Sequence, residues 1–152
     1  MARVAIVTGG TRGIGEAISM ALKDMGMKVA ANYAGNDERA REFTDRTGIA
    51  AYKWDVSDFE AYQAGVQQVE TELGPVDVLV NNAGITRDTT MKRMDHQKWQ
   101  EVIHTNLGGC FNMAKGVVEG MQSRGYGRIV NIGSINGQAG QYGQVNYAAA
   151  KS

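Results

Sequence analysis

Short apolar runs that end in glycine punctuate this chain, and helical patterns separate them. Arg3-Val-Ala-Ile-Val-Thr8 runs into Gly9-Gly10, Val76-Asp-Val-Leu-Val80 runs into Asn81-Asn82-Ala83-Gly84, and Arg128 to Ile132 runs into Gly133. Runs of this kind, apolar on both faces, read as strands of a parallel sheet buried on both sides. Lys28 to Tyr33 and Ala50 to Trp54 read as two more strands. The amphipathic stretch Ile14 to Met25 is closed by Gly26, and Asp37 to Arg46 forms a charged helix. Ser57-Asp-Phe-Glu60 has the pattern of a capping box and opens a helix to about Leu73, where Gly74-Pro75 breaks it. Asp95 caps a helix through Trp99 and Ile103, and a second helix runs from about Leu107 to Arg124. Ser134 to Gly143 reads as a glycine- and glutamine-rich loop, and a last helix begins near Val145.

Strands alternating with helices imply crossovers and a sheet covered on both faces. The expected fold is a doubly wound α/β sheet, Rossmann-like, in the order 3-2-1-4-5, formed by residues 1–152 as one domain. Ligands of such sheets bind beyond the carboxyl ends of the strands, where the strand order switches. The glycine clusters follow the first, fourth and fifth strands, so they point to one shared site.

Composition excludes several classes. The formal net charge is zero, which leaves no electrostatic footprint for nucleic acid or an anionic membrane. The one cysteine, Cys110, allows no internal disulfide and fits a reducing, cytoplasmic compartment. Val4 to Val7 is too short for a signal-peptide core or a membrane span. His96 and His104 lack a third ligand, so no metal site is expected. The eight methionines scatter as core fillers, and Lys92-Arg93 reads as either a solvated basic pair or a phosphate contact.

Two features carry chemistry. Thr8-Gly9-Gly10-Thr11-Arg12-Gly13-Ile14-Gly15 joins a strand to a helix. Its glycines let the backbone approach a phosphate, and the helix start supplies N–H donors and partial positive charge. Near the end of the chain, Tyr147 and Lys151 are one helical turn apart on one face, with Ser134 upstream. A phenol is a weak acid–base group at neutral pH until a neighbouring cation favours its ionised form.

The glycine spacing, Asn81-Asn82-Ala83-Gly84, Asn106 within a helix, Ser134, and Tyr147 with Lys151 together resemble the short-chain dehydrogenases/reductases over the whole chain. That resemblance implies Tyr147 as general acid, Ser134 as hydrogen-bond donor to the substrate carbonyl, Lys151 as partner of the phenol and the nicotinamide ribose, and Asn106 as holder of a relay water. It implies a cofactor site formed by Gly9, Thr11, Arg12, Gly13, Ile14, Gly15, Asn32, Arg39, Asp55, Val56, Asn82, Ala83, Gly84, Ile85 and Thr86, with Tyr147 and Lys151. The second strand ends in Asn32-Tyr33-Ala34-Gly35 without a carboxylate for a ribose 2′-hydroxyl, and Arg12 and Arg39 suit a 2′-phosphate. NADPH is therefore the expected cofactor, with Asp37 and Glu38 the contrary signal.

The loop Ile135-Asn-Gly-Gln-Ala-Gly-Gln-Tyr-Gly-Gln-Val-Asn-Tyr147 is similar to that of bacterial acetoacetyl-CoA reductases, which supply polyhydroxybutyrate synthesis. Gln138, Gln141 and Gln144 recur in it, and amides both donate to and accept from a thioester or pantetheine. Asp88, Ser134, Gln141, Tyr142, Gln144 and Tyr147 are the implied substrate contacts, for an acyl-CoA. The alternatives are 3-oxoacyl-acyl-carrier-protein reduction, a non-catalytic nucleotide-binding module, and a fragment that only makes protein contacts. Chains of this family run on past the Tyr-x-x-x-Lys helix to further strands and a lid. The resemblance thus implies a longer homotetrameric parent, and a 152-residue piece that is inactive, with Tyr147 and Lys151 frayed and the fifth strand at a sheet edge.

Overall fold

The structure, a computed structural model, describes residues 2–152. Five parallel strands form one sheet: β1 (Val4–Val7), β2 (Lys28–Tyr33), β3 (Ala50–Lys53), β4 (Val76–Asn81) and β5 (Arg128–Asn131). Their order is β3-β2-β1-β4-β5, as the strand–helix alternation predicts. The register aligns Val7 with Ala31 on one side and Val80 on the other, and Asn81 with Asn131. All three glycine-bearing turns therefore emerge on the same edge of the sheet.

Strand side chains alternate between faces, and β1 splits its four residues between two cores. Val4 and Ile6 pack with Tyr62, Val66 and Val69 of α3 (Phe59–Leu73) and Met113, Val117 and Met121 of α5 (Gly109–Ser123). Ala5 and Val7 face the other way, with Ile18 and Leu22 of α1 (Gly13–Asp24) and Phe43 of α2 (Asp37–Thr47). Helices thus cover both faces, and the three-layer, Rossmann-like architecture follows. β5 differs from the strands inside it: all its residues are exposed, Ile129 by 38% and Val130 by 46%.

Three expectations need correction. Helix α3 starts one residue later than a Ser57 cap would place it. Asp58 is the cap, and its Oδ1 accepts from the N–H groups of Glu60 and Ala61 at 3.0 and 2.9 Å. Ser57 is instead turned to Asp55, and its N–H and hydroxyl both donate to Asp55 Oδ1. The helices around Asn106 form no separate pair. α4 (His96–Val102) passes through a π-helical turn, Ile103–Gly108, directly into α5. The Ser134–Gly143 stretch is not wholly loop: α6 (Ile135–Ala139) occupies its first half, with Ser134 as cap, before α7 (Val145–Lys151).

Candidate active site

The glycine turn follows β1. Gly9 and Gly13 have φ of +61° and +54°, values that favour glycine. A Cβ on Gly15 would collide with the carbonyl oxygen of Gly9 and crowd the Asn82 amide at 2.6 Å. Arg12 occupies the α1 cap without a side-chain hydrogen bond, so the helix start keeps first-turn N–H groups and partial positive charge for an anion. Thr8 ties this turn to β4. Its buried hydroxyl oxygen accepts from the N–H groups of Asn82 and Ala83, both at 2.9 Å. The Asn82 amide returns hydrogen bonds to the Thr8 and Gly9 carbonyls at 2.9 and 3.3 Å.

A cleft of about 380 Å³ opens beside the turn. Gly9, Thr11, Arg12, Asn32, Arg39, Asp55, Val56 and Ala83 to Ile85 all line it. Asn32 holds the wall: its amide donates to the Trp54 carbonyl at 2.9 Å and its Oδ1 accepts from Gly9 N–H at 3.4 Å. Asp37 does not reach into this space as a free carboxylate. It pairs with Lys53 at 2.9 Å and accepts from the Tyr33 hydroxyl at 3.1 Å. Those two hydrogen bonds, Lys53's first, hold its carboxyl below the usual range, while Lys53 is raised in turn. Burial, then the Asp37 bond, pushes the Tyr33 phenol up. Arg12 and Arg39 form no ion pair among the described residues.

A second cleft, of about 540 Å³, shares Arg12, Gly84 and Ile85 with the first. Ile14, Asn82, Thr86, Ser134, Tyr147 and Lys151 line it. Gly13 and Gly15 belong to the turn that joins the two. Ser134, Tyr147 and Lys151 are thus on one cleft although they come from β5's exit, α7's first turn and α7's end. Ser134 Oγ accepts from Asn136 N–H at 3.2 Å, and the Lys151 ammonium donates to the Ile132 carbonyl at 2.7 Å.

Asn106 stands behind this wall, 1% exposed in the π-helical turn. Its amide makes a reciprocal pair with the Ile85 backbone, accepting from N–H at 2.8 Å and donating to C=O at 3.0 Å. The side chain therefore fixes the segment after Asn82-Ala83-Gly84. Cys110, one turn on, donates to the Asn106 carbonyl at 3.1 Å, and burial raises its thiol against the opposing Lys151 charge.

The end of α7 is packed down, while no hydrogen bond among the described residues joins Tyr147 or Lys151 to Ser134. Ala150 is buried, Lys151 is tied to Ile132, and Ser152 Oγ donates to the Gly137 carbonyl at 3.0 Å. Gly137 allows this approach, since a Cβ there would collide with the Lys151 carbonyl oxygen. Of the expected substrate contacts, Gln144 and Asp88 hold one another. Gln144 Nε2 donates to Asp88 Oδ2 and its Oε1 accepts from Asn136 Nδ2, both at 2.8 Å. Gln138 and Gln141 are exposed, and Tyr142 is 86% exposed.

Two buried polar residues at the site escape a sequence reading, Thr8 and Asn146. Thr8 gives no signal apart from the turn it precedes. Asn146 has a faint one, an amide directly before Tyr147 in a helix whose first residues are otherwise apolar. Among the described residues, no three His, Cys, Asp or Glu side chains gather as a metal site would need, and no helix is long and apolar enough to cross a membrane.

Known proteins are similar to this chain in sequence. The chain is 63% identical over 152 residues to the acetoacetyl-CoA reductase of Rhizobium meliloti (strain 1021), and 65% identical to that of Paracoccus denitrificans. Each match covers all of this chain and 63% of the relative, so the chain spans under two thirds of their length. The 3-oxoacyl-acyl-carrier-protein reductase FabG of Staphylococcus aureus (strain Mu50 / ATCC 700699) is 40% identical over 157 residues, 64% of its own length. With the family model "short chain dehydrogenase" matched over residues 3–152, the chain belongs to the short-chain dehydrogenases.

Proposed function

We propose that the protein carrying this chain reduces acetoacetyl-CoA to 3-hydroxybutyryl-CoA with NADPH, in the cytoplasm, as a supply step for polyhydroxybutyrate. The observation that carries this reading is the single cleft lined by Ser134, Tyr147 and Lys151, joined to the cleft beside the glycine turn. The names of the relatives at 63% and 65% identity support the substrate.

The residues fit a dinucleotide. The turn is clear of side chains at Gly15, where a Cβ would collide, and the uncapped α1 start suits a pyrophosphate. Asn32, Asp55 and Val56 would face the adenosine half, and Asn82 to Thr86 the nicotinamide half. Arg12 and Arg39, without carboxylate partners, suit a 2′-phosphate, and Asp37, already engaged by Lys53, offers little competition. That is the support for NADPH over NADH. When bound, the cofactor supplies the hydride.

The chain's own groups do the rest. Tyr147 gives its phenolic proton to the alkoxide forming at the 3-carbon. Ser134 Oγ donates a hydrogen bond to the same oxygen and stabilises its developing charge. Lys151 holds the cofactor ribose, and its ammonium stabilises the phenolate left on Tyr147. Asn106 holds the Ile85 segment and with it a water of the proton relay. Gln141, Tyr142 and Gln144, with Asp88, receive the acyl thioester, which requires the Gln144–Asp88 bond to open.

The test is NADPH oxidation with acetoacetyl-CoA in a polypeptide of the relatives' length, beside acetoacetyl-acyl-carrier protein. Faster turnover of the coenzyme A thioester supports the reading. A strong preference for the protein-bound substrate would move the chain to the second reading, 3-oxoacyl-acyl-carrier-protein reduction, which the Staphylococcus aureus relative favours. NADPH binding without turnover of either would leave a nucleotide-binding module. Assembly is part of the proposal. Leu107, Phe111 and Val118 expose an apolar stripe along the helix after Asn106, as a homotetramer interface would use.

A further inference from the structure

Asn146 directly precedes Tyr147 and is completely buried, at 0% exposure. Its Nδ2 donates to two carbonyls from different segments: Arg87, in the stretch after β4, at 3.2 Å, and Lys98, in α4, at 3.1 Å. Its Oδ1 accepts from the N–H of Tyr147 at 2.8 Å. The partners fix which end of the amide is which, because carbonyls only accept and an N–H only donates. Helix α7 needs this. Its cap, Gln144, makes no capping hydrogen bond and spends its side chain on Asp88 and Asn136. The Tyr147 N–H is among the first-turn donors that have no partner within a helix. One amide therefore satisfies the backbone of the proposed proton donor and pins that residue to both the Arg87 segment and α4.

We propose that Asn146 is a positioning residue that sets where the Tyr147 phenol stands in the cleft. The inference rests on the reading of Tyr147 as proton donor, and it adds a residue that this reading does not use. Only an amide meets the three partners. Aspartate keeps the acceptor but turns a carboxylate toward two carbonyl oxygens, and serine is too short to span them. A displacement of the proton donor by about 1 Å lowers kcat on the order of 10²-fold, without a matching change in cofactor affinity.

The test compares wild type, Asn146→Asp and Asn146→Ser in a polypeptide of the relatives' length. It measures NADPH affinity, kcat with acetoacetyl-CoA, the isotope effect on kcat with NADPH deuterated at the transferred hydride, and hydrogen exchange of residues 145–151. The expected result is near-normal NADPH affinity, kcat lower by the factor above, a larger isotope effect as chemistry becomes limiting, and faster exchange in α7. Either variant with wild-type kcat and isotope effect would overturn the proposal. Loss of NADPH binding in both would also overturn it, since Asn146 would then support the whole fold. Should wild type bind NADPH but not reduce acetoacetyl-CoA, the substrate reading fails. The positioning of α7 is then decided by exchange alone, and unchanged exchange in both variants would refute it.

Discussion

The phenolic oxygen of Tyr147 is the smallest unit on which the proposed chemistry depends. Tyr147→Phe removes that oxygen alone, while the ring remains on the cleft. The expected outcome is loss of kcat by about 10²–10⁴-fold with NADPH affinity nearly intact, because the proton is delivered only in the chemical step. Substantial residual turnover in a single-turnover assay would mean that another acid serves. Arg39 makes the complementary case. It lines the cleft, and its guanidinium has no carboxylate partner among the described residues. Arg39→Ala is expected to weaken NADPH binding about 10–100-fold, the loss of a charge-assisted hydrogen bond of about 1.5–3 kcal/mol, and to leave NADH binding little changed. Equal losses for both cofactors, measured by fluorescence titration, would place the 2′-phosphate elsewhere. At this scale type and spacing singled out Ser134, Tyr147 and Lys151 as a group, and the structure brings all three to one cleft. The sequence was silent where the role is set by what folds against the side chain. Gln144 and Asp88, 56 positions apart, spend their polar atoms on each other, and no local pattern announces such a pair.

Elements were legible to the extent that their signals are periodic. The five strands and the order 3-2-1-4-5 followed from apolar runs alternating with helical patterns, because burial on both faces leaves no other composition for a central strand. Boundaries set by competition for one hydrogen bond were not. Ser57 and Asp58 are both good caps; Asp58 takes the Glu60 and Ala61 N–H groups, while Ser57 is turned to Asp55 through its hydroxyl and N–H. The consequence is measurable. Asp58→Ala is expected to destabilise the protein by about 1 kcal/mol through the lost α3 cap, whereas Ser57→Ala, at a half-buried position that caps nothing, falls within about 0.5 kcal/mol of wild type. Urea denaturation of the two variants distinguishes them, and the reverse order would restore the capping box. The π-helical turn at Ile103–Gly108 was likewise invisible. Amphipathic spacing sees two helices with a break, while the structure keeps one helical path whose widened turn presents Asn106 to Ile85. α6 escaped notice for a related reason: five residues with two small side chains carry too little apolar periodicity to register.

At the scale of the whole molecule, the sheet is asymmetric in a way that bears on how this stretch behaves alone. β1 is buried throughout, while every residue of β5 is exposed and its Ile129 and Val130 stand open to solvent. β5 pairs with β4 along one edge, and its other edge carries backbone N–H and C=O groups that invite a further strand. The apolar stripe of Leu107, Phe111 and Val118 adds a second adhesive surface. The cleft lined by Ser134, Tyr147 and Lys151, by contrast, has its helix in place, since α7 is docked through Asn146, Ala150 and Lys151. On the side proposed for the substrate, Gln141 and Tyr142 are exposed, and Gln144 and Asp88 are closed on one another. Expressed by themselves, residues 1–152 are therefore expected to bind NADPH yet self-associate. Their turnover of acetoacetyl-CoA should fall on the order of 10²-fold or more below a polypeptide of the relatives' length, because the side chains proposed to receive the thioester are exposed or closed on one another and hold it poorly in an attack geometry. Light scattering across a concentration series and NADPH oxidation on the same samples check both halves. Association that disappears when Ile129 and Val130 are replaced by lysine would identify the β5 edge as its seat. A soluble monomer with turnover equal to the longer polypeptide would show that the exposed strand and the open substrate side are no handicap, and that these 152 residues hold everything the reaction requires.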